Sequence, residues 1–145
     1  MELPDGEPSL VELHPHNIFF KGERCVLIFD YETVTNQWPE IAACAYAIHR
    51  FCREYARNKR DRPEAIKKSV EAFLKGYKKG RGREFPEIHD KLHWWIKRTN
   101  LPKLIRALSY VTDLDKNRSN RPRAVLASEV VKFIACLKEA DAFKM

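Results

Sequence analysis

A chain of 145 residues with 44% hydrophobic and 11% aromatic content can bury the core of one ordinary domain, which excludes general disorder. No run approaches the roughly 18 apolar residues of a membrane span, and the acidic start Met1-Glu2-Leu3-Pro4-Asp5-Gly6-Glu7 lacks the basic-then-apolar order of a signal peptide. The net charge of +7 is uneven: residues 50–83 hold thirteen Lys or Arg against four acids, so the basic field belongs to one region and could draw an anionic partner.

Residues 1–9 are polar with two prolines and read as a flexible N-terminus, leaving 10–145 as the folded part. Within it, 10–35 reads as a loop and hairpin and 38–145 as a helical subdomain. Leu13-His14-Pro15-His16-Asn17 runs into the apolar Ile18-Phe19-Phe20, and Cys25-Val26-Leu27-Ile28-Phe29 runs out into Asp30-Tyr31-Glu32. The polar, glycine-containing Lys21-Gly22-Glu23-Arg24 between them predicts a turn, and hence a β-hairpin. A hairpin brings Asn17, entering its first strand, beside Asp30, leaving its second. An amide oxygen and a carboxylate side by side suit a hard divalent cation such as Mg²⁺, which takes oxygen ligands and shares them with phosphates. Pro15 is read as shaping the loop, His14 as shaping it or meeting substrate, and His16 as facing solvent or bonding within it. Glu32 either meets a substrate hydroxyl or amine, or holds the loop.

After Gln37 the period changes. Pro39 is placed as an early helical residue, and Ile41, Cys44, Ala45, Ile48, Cys52 and Tyr55 mark one face of a helix over about 38–57. Asp61 or a neighbour caps a second helix opened by Pro63, with Ile66, Val70, Phe73, Leu74 and Tyr77 inward, ending at Gly80 and Gly82. Pro86 opens a third, through Ile88, Leu92, Trp95 and Ile96 to Thr99-Asn100. Leu101-Pro102 begins a fourth, with Leu104, Ile105, Leu108 and Val111 inward. Residues 113–122 form a polar loop. The last helix, about 123–139, buries Val125, Leu126, Val130, Phe133, Ile134 and Leu137. The fold class is mainly α with a short β-hairpin. Cys25, Cys44, Cys52 and Cys136 show no Cys-x-x-Cys spacing and read as buried free thiols, which fits a reducing cytoplasm. His14 and His16 have no cysteine partner at zinc-ligand spacing.

The segment Leu13-His14-Pro15-His16-Asn17-Ile18, followed by Ile28-Phe29-Asp30-Tyr31-Glu32, resembles the catalytic segment of the aminoglycoside phosphotransferase and choline kinase family, small-molecule kinases of protein-kinase-like fold. The family pattern runs His-x-Asp-x-His-x-x-Asn, then a hydrophobic hairpin, then Ile-Asp-Phe/Tyr-Glu/Asp. The resemblance implies a C-terminal kinase lobe in which Asn17 and Asp30 hold Mg²⁺ on the phosphates of ATP and Glu12 orients the substrate hydroxyl. It also implies a helix packed under the catalytic loop. Glu12 stands where the family has aspartate, Leu10 where it has histidine, and Phe29 is an extra residue between Ile28 and Asp30. The eleven residues before Glu12 hold no lysine, no glycine-rich loop and no strand-like run, so no nucleotide lobe is legible upstream. The implied function is a truncated or split small-molecule phosphotransferase, inactive as this chain alone and completed by a separately encoded N-terminal lobe or by self-association. On that view Phe19 and Phe20 are exposed and favour association.

The alternative is a non-catalytic basic helical module binding nucleic acid or another anionic partner through residues 50–83. Helical periodicity weighs against base stacking there, because it turns Tyr55, Phe73 and Tyr77 inward. Trp94-Trp95, with Trp38, offers a third possibility, a cation–π platform for a quaternary ammonium, of which at most one adjacent tryptophan is core.

Overall fold

The computed structural model describes residues 9–35, 38–82, 86–112 and 122–144. In chain order these form β1 (Ser9–Leu10), a 3-10 turn (Pro15–Asn17), β2 (Ile18–Lys21), β3 (Arg24–Ile28), a second 3-10 turn (Tyr31–Thr33) and β4 (Val34–Thr35). Then come α1 (Glu40–Ala56), α2 (Arg62–Arg81), α3 (Pro86–Val111), α4 (Arg123–Glu139) and a closing 3-10 turn (Ala140–Phe143). The chain is mainly helical with short antiparallel β pairs. The expected flexible stretch 1–9 lies outside the described residues up to position 8, but Ser9 pairs with Thr35. The loop at 113–121 also lies outside them.

The β2–β3 hairpin forms as the alternation of apolar runs and turn demanded. Its two-residue connection places Gly22 at φ 61°, a backbone conformation that glycine adopts without steric cost. The register steps from Phe19 opposite Leu27 to Phe20 opposite Cys25, so Val26 is the extra residue of a bulge. β1 and β4 bracket this unit as a second antiparallel pair.

The core gathers on α1. Its residues Ala42 to His49 are all buried, the small side chains allowing α2 and α3 to pack close on both sides. Ile66 and Val70 of α2, and Ile88, Leu92 and Ile96 of α3, meet Ile48 and Cys52 there, and Phe143 closes the base. α1 also touches the 3-10 turn Pro15–Asn17 and β1, so this helix supports the loop it follows.

The caps of α2 follow the sequence. Asp61 accepts from the Glu64 N–H at 3.3 Å, and Gly82, at φ 75°, donates its N–H to the Lys78 carbonyl at 2.8 Å. Gly80 is an interior residue of the helix, not part of its cap. Tyr77 and Arg81 both reach Glu40 at the start of α1, Arg81 Nε at 2.9 Å.

One expected break is absent. Residues 86–111 form one continuous helix with Pro102 inside it, where two helices were predicted. Proline removes one backbone donor and crowds the carbonyl four residues back. The turn before it is held by side chains instead: Thr99 Oγ1 and Asn100 Nδ2 donate to the Ile96 carbonyl at 3.0 and 2.8 Å. Ile96 below the proline and Ala107 above it are both buried, so packing continues past the interruption.

Several expected core residues are exposed. Tyr55 is 57% exposed with Lys59 4.9 Å over its ring, because it lies on the outer face of α1 while its neighbours Cys52 and Ala56 take the core-facing positions. Ile105, Leu108, Val125 and Ile134 are also exposed, since α3 and α4 pack on each other along a narrower seam than their apolar content suggests. Of the cysteines, Cys44, Cys52 and Cys136 are buried free thiols. Cys25 is exposed, because no further layer covers the hairpin among the described residues. No helix among the described residues is long and apolar enough to cross a membrane.

Candidate functional site

The hairpin brings Asn17 and Asp30 together. Asn17, buried at the end of its 3-10 turn, donates from Nδ2 to Asp30 Oδ2 at 3.1 Å. Two backbone bonds fix Asn17: its N–H donates to the His14 carbonyl at 2.9 Å, and its carbonyl accepts from the Phe29 N–H at 3.0 Å. Asp30 itself sits at φ 67°, ψ 59°, the only non-glycine residue with positive φ among those described. A left-handed backbone is costly for any residue with a Cβ and is least unfavourable for Asn and Asp. Here it turns the carboxylate from the strand end back towards Asn17.

The residue types suit a hard cation, although the amide atom facing Asp30 is Nδ2, so Asn17 would bring its Oδ1 to a cation only with its amide turned over or from its other side. Carboxylate and amide oxygens are the ligands Mg²⁺ prefers, and it keeps open positions for water and phosphate rather than a full protein cage. Among the described residues no group of three or more His, Cys, Asp or Glu side chains stands ready to hold a metal unaided.

Glu12, the candidate catalytic carboxylate, follows β1. Its N–H donates to Thr33 Oγ1 at 3.3 Å, and the neighbouring Val11 N–H donates to the Thr33 carbonyl at 3.3 Å. Its carboxylate pairs with Lys103 of α3, whose ammonium also lies 4.4 Å over the Tyr46 ring. Thr33 and Lys103 thus orient Glu12 from two sides, and the turn of α3 that carries Pro102 supplies one of them. Lys103 was not legible as a site residue: it is one lysine among many, ninety-one positions away from its partner.

His14 caps the first 3-10 turn in extended conformation and meets His16 edge-on at 5.6 Å. Burial holds its pKa below the ordinary histidine value, and the positive charge of Arg50 and of His16 pushes the same way, while Glu12 and Asp30 oppose them. Its side chain therefore stands within the electrostatic reach of both candidate carboxylates. His16 is exposed, as expected. Glu32 is exposed and lines, with Glu12, Thr33 and Trp38, a cleft of about 330 Å³.

A larger cleft of about 640 Å³ opens on the other side of Glu12, between α1, α3 and α4. Glu12 and His14 form its rim, and Arg50, Lys103, Arg106 and Lys132 line its walls. Arg50 stands out in the sequence only as one of the thirteen basic residues of 50–83, and Lys103, Arg106 and Lys132 carry no signal, because each comes from a helix face whose partner is set only by tertiary packing. Asn17 and Asp30 are not among its lining residues. Trp94 and Trp95 divide as expected: Trp95 packs against the core and Trp94 is exposed. Arg98 already lies 5.4 Å over the Trp94 ring, so that face is taken by the chain's own cation.

A scan against protein-family models finds no match to this chain, and searches of curated proteins and of solved structures find none either.

Proposed function

We propose that this chain carries the metal-binding and acceptor-binding part of an ATP-dependent small-molecule phosphotransferase that delivers a phosphoryl group to a hydroxyl. The observation that carries the reading is the 3.1 Å contact between Asn17 and Asp30, with Asp30 held in a left-handed backbone where the chain leaves β3 for the Tyr31–Thr33 turn. Support also comes from α1, packed under the loop that bears Asn17.

In this mechanism Glu12, held by Lys103 and Thr33, orients the acceptor hydroxyl. The hydroxyl oxygen bonds to the γ-phosphorus of the nucleotide, the bond to the bridging oxygen breaks with release of the diphosphate, and Glu12 accepts the hydroxyl proton. Bound Mg²⁺ would supply charge neutralisation on the phosphates. Asn17 and Asp30 would hold it, and His14 fixes the loop between the two carboxylates. The nucleotide-covering lobe would pack on the exposed apolar side of the hairpin, where Phe19, Phe20, Val26 and Leu27 are each more than half exposed. We place the enzyme in the cytoplasm, in keeping with its three buried free thiols.

Calorimetric titration tests the reading. Mg²⁺ together with ATP binds the wild-type chain more tightly than ATP with chelator, and Asp30→Ala abolishes the difference. Equal binding with and without Mg²⁺ removes the proposal. The alternative, nucleic-acid binding by the basic surface of α2, has less support, since Phe73 and Tyr77 are turned towards the core and withheld from stacking. It predicts oligonucleotide binding that falls steeply with salt.

A further inference from the structure

The phosphotransferase reading leaves the acceptor unspecified, and the cleft beside Glu12 narrows it. Four cationic side chains, Arg50, Lys103, Arg106 and Lys132, face two carboxylates, Glu12 and Glu129, across about 640 Å³. Lys103 is matched by Glu12. Glu129 is the second carboxylate, so the described lining residues keep an excess of two positive charges. Like charges gathered in a partly desolvated cleft repel one another, and such an arrangement is costly unless an anion enters it.

Arg50 shows the imbalance most directly. Its Nε is buried and has no hydrogen-bond partner among the described residues. A buried, unsatisfied donor of a charged group carries a desolvation cost that a bound acceptor would relieve. The ammonium of Lys132 responds to the same field. Its pKa lies below the ordinary lysine value, first through burial and then through Arg50, with Lys103 adding and Cys136 and Glu129 opposing. Tyr46 and Tyr110 give the cleft two phenol-bearing walls as well.

We propose, resting on the phosphotransferase reading, that the acceptor is an alcohol already bearing a phosphate monoester, which Arg50, Arg106 and Lys132 hold while Glu12 faces its hydroxyl. A phosphate monoester carries about −1.5 to −2 charge near neutrality and matches the excess of the walls, whereas a carboxylate supplies half of it. Two guanidinium groups provide the fork geometry that binds phosphate oxygens in pairs. Cationic acceptors such as amino sugars and choline-like amines are disfavoured by the same field.

The shared chemistry, a phosphate group, could also belong to the nucleotide, and the test separates the two. Inorganic phosphate is titrated into the full chain at constant ionic strength, with chloride as the replaced anion, and followed by amide chemical shifts. Saturable shifts centred on Arg50, Arg106 and Lys132 are expected. Arg50→Gln combined with Lys132→Gln should weaken binding about tenfold. Arg106→Gln, at an exposed position, serves as a second variant if the pair disturbs the fold. Lys67→Gln with Lys75→Gln, on the exposed face of α2, should leave binding within about twofold. Phosphate binding that persists in Asp30→Ala and alongside saturating Mg²⁺-ATP places the anion on the acceptor side. Competition by Mg²⁺-ATP, or a response that is unsaturable and equal in all variants, overturns the proposal. Loss of Mg²⁺-nucleotide binding in Asp30→Ala is read separately, so failure of the kinase reading and failure of the anion site give different results.

Discussion

Asn17 Nδ2 lies 3.1 Å from Asp30 Oδ2, a contact between residues thirteen apart that the hairpin makes and a left-handed aspartate completes. Three independent features meet at this point: the loop that buries Asn17, the strand pairing that returns the chain, and the backbone of Asp30.

That backbone makes a stability prediction that separates function from fold. Asp30→Gly and Asp30→Ala both remove the carboxylate and should both lose Mg²⁺ affinity. Glycine accepts a positive φ freely, whereas alanine does not. Asp30→Ala should therefore be about 1 kcal/mol less stable than Asp30→Gly, seen as a melting temperature lower by about 4 °C. Equal stability of the two variants would argue against the left-handed conformation.

His49 predicts an acid limb. It is fully buried in α1, edge-on to Phe143 at 5.4 Å, and both ring nitrogens lack a hydrogen-bond partner among the described residues. Burial, with Arg53 and Arg50 adding, pushes its pKa down to about 3, while Glu139 stands 3.9 Å away on α4. The unfolded chain takes up the proton near 6.5 and the folded chain only near 3. Stability is thus complete above 6.5 and is lost as pH falls through that window, with a slope approaching about 1.4 kcal/mol per pH unit. His49→Met should flatten urea midpoints between pH 6 and 4; an unchanged slope would place the titration elsewhere.

Glu139 ties three elements together. Its carboxylate meets Arg53 Nε of α1 at 2.8 Å and also Arg62 at the start of α2. The carboxylate is only 13% exposed but Arg62 is 41% exposed, so solvent screens part of the interaction. Glu139→Ala should cost about 2 kcal/mol, most of it from leaving Arg53 unmatched. Arg62→Ala should cost less than about 1 kcal/mol. Denaturant midpoints of the two single variants and the double variant give the coupling directly, and equal costs for the two singles would contradict this ranking.

The hairpin predicts association. Phe19 stacks on Phe29 at 5.4 Å, yet both Phe19 and Phe20 are more than half exposed. Phe19→Ser with Phe20→Ser should shift sedimentation profiles towards monomer at high concentration. A wild-type chain that stays monomeric throughout would contradict it.

The parts written in local periodicity were legible. The hairpin followed from two apolar runs and one glycine, and α2 from Asp61 and Gly82, each a local preference met by local geometry. Pro102 misled because proline is a strong local stop signal, whereas packing of Ile96 and Ala107 and the side-chain bonds of Thr99 and Asn100 are tertiary or conformational facts. The outward positions of Ile105 and Val125 fail for a related reason: an apolar residue marks a face, but only the neighbouring helix decides how much of that face is covered. Asn17 and Asp30 were legible as neighbours because one hairpin joins them. Arg50, Lys103 and Lys132 were not, since three helices had to assemble before they shared a wall.

The most direct test is paramagnetic broadening of amide signals by Mn²⁺ in the presence of ATP. Broadening is expected to centre on Asn17 and Asp30, to extend to Glu12 and His14, and to be absent in Asp30→Ala. Broadening spread over the acidic surface residues and unchanged in Asp30→Ala would contradict it.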